Sequence, residues 1–126
     1  MSNSIAASPF ALFNNKLVDF VDDLGGVLGH LPEYTVMSSS GRFLAQFQVR
    51  QNHELFERYV AVPYGTFILA RDEAFLLEEA QFAGNAGIVS LIKSVWRSLP
   101  AADRESVWAH LHVLMVLNER CKAAAS

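Results

Sequence analysis

The sequence predicts a single all-α domain, built as a compact orthogonal bundle of about six helices around a hydrophobic C-terminal helix. Apolar residues recur at three- and four-residue steps in several long segments, and no candidate strand has a partner strand. In addition, 52% of the 126 residues are hydrophobic and 18% are charged, which is typical of a globular domain with a large core. We expect residues 9–122 to form this domain, between a flexible arm at 1–8 and a frayed tail at 123–126.

The first helix is predicted to begin at Ser8-Pro9, with the serine as N-cap and the proline in the first turn. Apolar residues then recur at the spacing of one helix face. We expect Gly25-Gly26 to end this helix. Its apolar positions are Phe10, Phe13, Leu17, Phe20, Val21 and Leu24.

Three acids, Asp19, Asp22 and Asp23, lie in the last turns of this helix, where the helix dipole favours cations. This placement is unfavourable by up to about 1 kcal/mol for each acid. It indicates either a site for a basic partner or a metal, or a solvated helix face beside Lys16. We take the three acids as the first part of a candidate interaction surface, and reversing them to lysine is expected to weaken partner binding.

The second helix is predicted to begin near Pro32-Glu33 and to run towards Phe47 or Val49. Its centre, Ser38–Gly41, consists of poor helix formers, so the helix can split there. We expect its core contacts to come from Phe43, Leu44 and Phe47.

Asn52 is predicted to cap a short helix that reaches Val60, and Val62–Gly65 is predicted to bend the chain. Phe56 and Tyr59 on this short helix form the second part of the candidate interaction surface. Both side chains are large and apolar enough to dock a protein partner.

The apolar stretch Thr66–Ala70 is predicted to be a buried helical turn, because helices flank it and it has no partner strand. Asp72-Glu73 then begins the next helix. Two apolar clusters, Phe67–Leu69 and Phe75–Leu77, form either part of the core or the wall of an apolar ligand cavity.

Residues 81–87 form a predicted loop, and a helix follows from Asn85 until Pro100 ends it and opens the last helix. The last helix, within Ser98–Leu117, is apolar on all sides near residues 113–117. A helix of that kind is buried, so we expect this end to be enclosed by the rest of the chain. One face carries Val107, Trp108, Leu111, Leu114 and Met115.

Composition and motifs exclude several classes of function. The net charge is −3 and the ten basic residues are scattered, whereas nucleic-acid binding normally requires a concentrated basic surface. The single Cys121 forms no internal disulfide and no zinc thiolate cluster. His110 and His112 lie about 200° apart on a helix and cannot share a metal ion. We therefore predict no catalytic residue, no cofactor, no metal and no nucleic-acid partner.

The N-terminal residues contain no basic and apolar leader, and no apolar run reaches the length of about 20 residues that a membrane span requires. We expect an intracellular protein without a membrane span.

The segment Phe13–Leu24 resembles the opening of small helical proteins encoded by nucleocytoplasmic large DNA viruses, including those of algae, with the pattern FNxKLxxFxxDL near the start. Val62–Gly65 with Ile68–Leu77 resembles their middle segment, and Ile88–Leu117, which contains two tryptophans, resembles their ending. The resemblance covers residues 10–118. It implies a viral origin and an infected host cell, and it carries over no catalytic residue.

We expect a non-enzymatic module for protein interaction or assembly, either a virus-encoded accessory protein or a virion component, with a protein partner or a second copy of itself. The alternative is a small-ligand-binding protein or an enzyme with an apolar pocket. An enzyme predicts a concave pocket in which polar groups converge among apolar walls. An interaction module predicts a broad exposed apolar patch instead.

Overall fold

The computed structural model describes residues 8–77 and 87–125 of the chain. Within these residues all regular structure is helical, which confirms the all-α prediction. A π-helical turn, Glu57–Ala61, joins the helix Gln51–Phe56 to the helix Val62–Ala70, and a 3₁₀ turn, Trp96–Ser98, extends the helix Gly87–Val95, so the described residues form six helical units. The predicted arm before Ser8 and most of the predicted loop at 81–87 lie outside the described residues. The helices are α1 Pro9–Leu28, α2 Pro32–Phe47, α3 Gln51–Phe56, α4 Val62–Ala70, α5 Ala74–Leu77, α6 Gly87–Val95 and α7 Ala101–Ala125.

Helix α1 begins as predicted, because Ser8 Oγ accepts a hydrogen bond from the backbone N–H of Ala11 at 3.2 Å. Its predicted end was wrong: the helix continues through Gly25 and Gly26 to Leu28. Leu28 is completely buried, so burial in the core offsets the low helix propensity of two glycines.

The core lies where α1 packs against α7 and where α4 and α6 close its sides. Trp96 and Trp108 meet edge to face, with ring centroids 5.4 Å apart. The indole Nε1–H of Trp96 donates to Glu73 Oε2 at 2.9 Å, and the guanidinium of Arg104 lies 5.3 Å from the Trp96 ring. Burial of each large apolar side chain contributes about 1.5–3 kcal/mol. The largest fully buried apolar side chains are Trp96, Phe13, Phe20, Leu28, Ile68, Ile92 and Leu114.

The prediction that α7 is enclosed near residues 113–117 was wrong. Val113 and Val116 are exposed, whereas Leu114 and Met115 are buried. The described neighbours of α7 contact it from one side, so the helix keeps a single buried face as far as Cys121. It is also helical through Ala125, where a frayed tail was expected. Among the described helices, none combines the length and apolar character needed to cross a membrane.

Helix α2 is unbroken at Ser38–Gly41, and its predicted core contacts were largely wrong. Phe43 and Phe47 point to solvent, and none of its residues is fully buried. The opposite side of the helix packs on the core through Tyr34 and Met37. Apolar side chains lie on both sides of this helix, so the pattern alone did not identify the inner face.

The role predicted for Asn52 as a helix cap was also wrong. Helix α3 begins at Gln51, and the side chain of Asn52 is buried inside the bundle. Its Nδ2 donates to Asn14 Oδ1 at 2.9 Å and to the carbonyl oxygen of Gly41 at 3.0 Å. Asn52 therefore ties α3 to both α1 and α2.

Candidate functional site

The first candidate site is an exposed apolar face of α2, which we call the α2 stripe and define as Val36, Phe43 and Phe47. On a helical wheel the two phenylalanines lie within about 20° of Val36, so the three side chains form one line along the helix. They are 67%, 54% and 63% exposed, respectively. The two phenyl rings contact each other, with centroids 5.0 Å apart. Exposed apolar residues grouped in this way make the α2 stripe a candidate interaction surface.

The inner side of α2 is held in place by polar contacts as well as packing. Tyr34 Oη donates to the carbonyl oxygen of Val21 at 2.8 Å, and Arg42 forms an ion pair with Asp22. Near the middle of the helix, Gly41 accepts the hydrogen bond from Asn52. These contacts fix the helix to α1 and α3, so the stripe is presented from a positioned helix.

Charged residues of opposite sign stand at the two ends of the stripe. Glu33 is exposed in the first turn of α2, and no ion pair to its carboxylate occurs among residues 8–77 and 87–125. Arg50 lies in the turn just after α2, where its guanidinium sits 4.6 Å from the ring centroid of Phe10. Between these ends, Ser39 and Ser40 expose only small side chains.

The three acids predicted as one interaction surface are separated in the structure. Asp22 pairs with Arg42 of α2, and Asp23 Oδ2 accepts hydrogen bonds from His110 Nε2 at 2.8 Å and Ser106 Oγ at 2.9 Å. These bonds, first of all the one from His110, lower the pKa of Asp23 below its ordinary value of 3.8. Two of the acids thus hold α1 to its neighbours. Asp19 is exposed and has no ion pair in the part of the chain that the structure describes.

The two aromatic residues predicted to dock a partner also differ in position. Phe56 is buried, and its ring meets that of Phe13 edge to face with centroids 5.4 Å apart, so it belongs to the core. Tyr59 is half-buried, with the guanidinium of Arg58 5.9 Å from its ring centroid. Only Tyr59 therefore reaches the surface in this structure.

The apolar clusters considered as a ligand cavity are packed ring against ring. Phe75 stacks on Tyr64 at 5.1 Å and on Phe67 at 5.6 Å between centroids. Phe75 is also tilted towards Trp108 at 6.3 Å. Within the two clusters Ile68, Phe75 and Leu76 are buried in the core, whereas Phe67 and Leu69 are exposed.

The second candidate site is a polar cleft between α3, the π-helical turn and the last turn of α7. We call it the His53 cleft. It has a volume of about 480 Å³, within the range of small-molecule sites, but its walls are charged and it is open to solvent. It is lined by His53, Glu54, Glu57, Arg58, Lys122 and Ala125.

A chain of polar side chains forms the inner wall of this cleft. His53 is only 5% exposed, and its Nδ1 lies 2.9 Å from Asn118 Oδ1. Asn118, which is fully buried, donates from Nδ2 to Glu57 Oε1 at 2.8 Å. The ammonium of Lys122 lies 3.5 Å from Glu57 Oε2 and 3.1 Å from Glu119 Oε2. Sequence reasoning missed this site, because His53 and Asn118 are 65 positions apart and nothing local signals their pairing.

In the part of the chain that the structure describes, His110, His112 and Cys121 lie in separate surroundings. His110 stacks on Phe20 with centroids 4.9 Å apart, while His112 is exposed on another face of α7. Cys121 is buried, and its burial raises the pKa of the thiol, which disfavours the thiolate. Over the described residues, no three histidine, cysteine, aspartate or glutamate side chains are grouped so that they could hold a metal ion.

Comparison of the chain with protein-family models, with curated proteins and with solved structures finds no match. Function is therefore inferred from the α2 stripe and the His53 cleft. The stripe has the exposed apolar character expected of a protein-binding surface, whereas the cleft has the volume of a small-molecule site but charged walls and a wide opening to solvent.

Proposed function

We propose that this protein acts by protein association, and that the α2 stripe docks on the α2 stripe of a second copy in antiparallel orientation. The exposure of Val36, Phe43 and Phe47 on one helix face carries this proposal. Burying these side chains against an identical surface removes apolar area from water on both copies at once.

Charge complementarity favours a second copy as the occupant. If two α2 helices pair antiparallel about a point between Ser40 and Phe43, Val36 of each copy faces Phe47 of the other. The same register places the first turn of each α2, which carries Glu33, beside the turn after Phe47 of the other copy, which carries Arg50, so residues of opposite charge approach at both ends of the pair. In this register Ser40 of each copy faces Phe43 of the other, so a small side chain lies opposite each of the two central rings.

The exposed area supports a weak, concentration-dependent dimer. A phenylalanine offers about 150–250 Å² for burial, so two half-exposed rings leave about 200 Å² or more to bury on each copy. At about 25 cal/mol per Å², burial of the four rings of a dimer contributes about 10 kcal/mol to the free energy of association. The two Val36 side chains add about a few kcal/mol more. Association costs about 4–15 kcal/mol in lost freedom of motion. We expect dissociation constants in the micromolar range or weaker.

Sedimentation over a concentration series tests the docking surface. The wild type is expected to shift from monomer to dimer as concentration rises. The double substitution Phe43→Ser/Phe47→Ser is expected to remain monomeric, because it removes the four rings from the interface. Val62→Ser is the matched control, since Val62 is 72% exposed but lies outside the α2 stripe. A wild type that stays monomeric at every concentration, or a dimer that survives the double substitution, overturns the proposal.

Charge reversal tests the antiparallel register. Glu33→Arg and Arg50→Glu each place like charges next to one another twice in a homodimer, so each variant alone is expected to dimerise less than the wild type. An equimolar mixture of the two variants restores both opposite-charge pairs and is expected to form heterodimers. Failure of the mixture to associate contradicts the antiparallel register, even if the phenylalanine variants weaken the dimer.

The resemblance of residues 10–118 to small proteins of large DNA viruses supports a role as a virus-encoded accessory protein or virion component. Mass spectrometry of purified virions and of infected-cell lysate distinguishes the two: a virion component is retained with particles, and an accessory protein is found in the lysate alone. Absence from both fractions contradicts the viral assignment.

A further inference from the structure

Helix α7 carries apolar side chains on two sides, and the described helices cover only one of them. Its buried side packs on α1, α3 and α4, whereas Val113 and Val116 on the opposite side are 40% and 42% exposed. A solvated helix face normally carries charged and polar side chains, so this exposed apolar side is unusual. We call it the α7 outer face and define it by six exposed residues: Glu105, Ala109, His112, Val113, Val116 and Arg120.

The α7 outer face is complementary to itself when two copies pair antiparallel about the midpoint between His112 and Val113. In that register Ala109 of each copy faces Val116 of the other, so a small side chain lies opposite a larger one. His112 of each copy faces Val113 of the other beside the two-fold axis. The apolar centre of the face is therefore covered by the same centre of a second copy.

The charges at the two ends of this face favour the same antiparallel register, in which Glu105 of each copy lies opposite Arg120 of the other. Arg120 is exposed and forms no ion pair among the residues that the structure describes. Glu105 is 67% exposed, and its Oε1 accepts a hydrogen bond from Arg71, which leaves Oε2 for a second donor. Parallel pairing sets like charges side by side at both ends, so charge selects the antiparallel pair.

We propose that the α7 outer face docks antiparallel on the α7 outer face of a second copy. This contact does not depend on the α2 stripe. Both faces point away from α1, which packs against the other sides of α2 and α7, so one copy presents both at once. Two different two-fold contacts on one chain link copies into assemblies larger than a dimer, and this last step rests on the proposed function.

The α7 contact is weaker than the contact through the α2 stripe. Its two valines are smaller than Phe43 and Phe47, and they are less exposed than those two rings, which are 54% and 63% exposed. We expect its dissociation constant to be at least about tenfold higher than that of the stripe. At concentrations at which the stripe forms dimers, Phe43→Ser/Phe47→Ser therefore stays monomeric in sedimentation, and covalent cross-linking detects the short-lived α7 pairs.

Site-directed disulfide cross-linking in the Phe43→Ser/Phe47→Ser background tests the register. His112→Cys places a thiol beside the two-fold axis, where it meets its copy. Ala102→Cys is the matched control, because Ala102 is exposed on the same side of α7 but lies about 30 Å from its copy in this register. Both variants keep the buried Cys121, so it does not affect the comparison.

Under copper-catalysed oxidation, His112→Cys is expected to form the covalent dimer at least about tenfold faster than Ala102→Cys. Equal rates, or no covalent dimer of His112→Cys, overturn the proposal. This result is independent of the α2 stripe, whose two rings are absent from both variants.

Reversal of Arg120 tests the charge pairing. Arg120→Glu places a glutamate opposite Glu105 at both ends of the pair, so it is expected to slow the cross-linking of His112→Cys about threefold. Arg58→Glu is the matched control, because it changes the net charge equally but lies in the π-helical turn, outside the α7 outer face. Equal slowing by the two reversals overturns the assignment of Arg120.

Sedimentation of the chain with an intact α2 stripe tests the larger assemblies. At concentrations well above those that form stripe dimers, the wild type is expected to form species larger than a dimer. Ala109→Glu sets a carboxylate opposite Val116 of the second copy, so this variant is expected to stop at the dimer. Larger species that persist in Ala109→Glu, or a wild type that stops at the dimer, overturn the assembly step. A wild type without any stripe dimer overturns the proposed function instead, and cross-linking at position 112 is then unchanged.

Discussion

The close approach of Tyr34 to Gly25 yields a sharp prediction about stability. A Cβ atom at Gly25 would lie 2.8 Å from Tyr34 Oη, which is closer than a Cβ contact allows, whereas a Cβ at Gly26 would have no atom within 4 Å. Both glycines are in α1, where Gly→Ala is ordinarily favourable by up to about 1 kcal/mol. The two substitutions therefore gain the same amount of stability from helix propensity, but the new methyl groups have different surroundings.

Gly26→Ala is expected to stabilise the protein by about 0.5–1 kcal/mol. Gly25→Ala has the same gain, but the Tyr34 hydroxyl must move and lose its 2.8 Å hydrogen bond to the carbonyl oxygen of Val21. Loss of that bond costs about 0.5–1.5 kcal/mol. We expect Gly25→Ala to be about 1 kcal/mol less stable than Gly26→Ala, with a net effect near zero.

Urea denaturation of a double-mutant cycle with Tyr34→Phe measures this coupling. Without the hydroxyl, the nearest ring carbon of residue 34 is 3.5 Å from the new Cβ, an ordinary contact. In the Tyr34→Phe background, Gly25→Ala should stabilise as much as Gly26→Ala, which gives a coupling free energy of about 1 kcal/mol. If Gly25→Ala and Gly26→Ala are equally stabilising with Tyr34 intact, the reasoning is refuted.

Two further predictions concern polar contacts between helices. Asn118→Leu leaves His53 Nδ1–H and one oxygen of Glu57 without their partner, so it should destabilise by about 2–4 kcal/mol in urea denaturation, and a loss below about 1 kcal/mol contradicts the network. Asp23→Asn should lower the free energy of unfolding only at pH values at which Asp23 is ionised. Because its pKa is lowered in the folded state, the carboxylate stabilises the fold above pH 3.8, and this contribution is lost as the pH falls through the folded value. Asp23 is 58% exposed, so we expect the free energy of unfolding of the wild type to exceed that of Asp23→Asn by about 0.5 kcal/mol at pH 6 and by less at pH 3. A difference between the two proteins that increases as the pH falls contradicts this prediction.

Helix starts were predictable from the sequence because their signals are local. Ser8 caps the turn that follows it, and Pro32 lies in the first turn of α2. The end of α1 was not predictable, because the propensity of Gly25-Gly26 was outweighed by burial of Leu28 against distant residues.

The inner face of α2 and the partners of the acids depended on tertiary packing. Apolar side chains lie around much of α2, so periodicity did not decide between the side of Tyr34 and the side of Phe43. The acids of α1 showed as anomalies against the helix dipole, but Asp23 meets His110 across 87 positions of sequence. A local pattern marks such a residue as unusual without naming its partner.

The two candidate sites are positioned from the same short helix. At the start of α3, the neighbouring residues Asn52 and His53 are both buried, and about 100° of helical rotation separates their side chains. Asn52 bonds to Asn14 and to Gly41, which fixes α2 and its stripe, while His53 bonds to Asn118 and forms the wall of the cleft. Phe56 of α3 is buried in the core, and the directional bonds of Asn52 and His53 add to that packing. The buried polar residues of α3 therefore help to set where both surfaces lie, together with its buried phenylalanine.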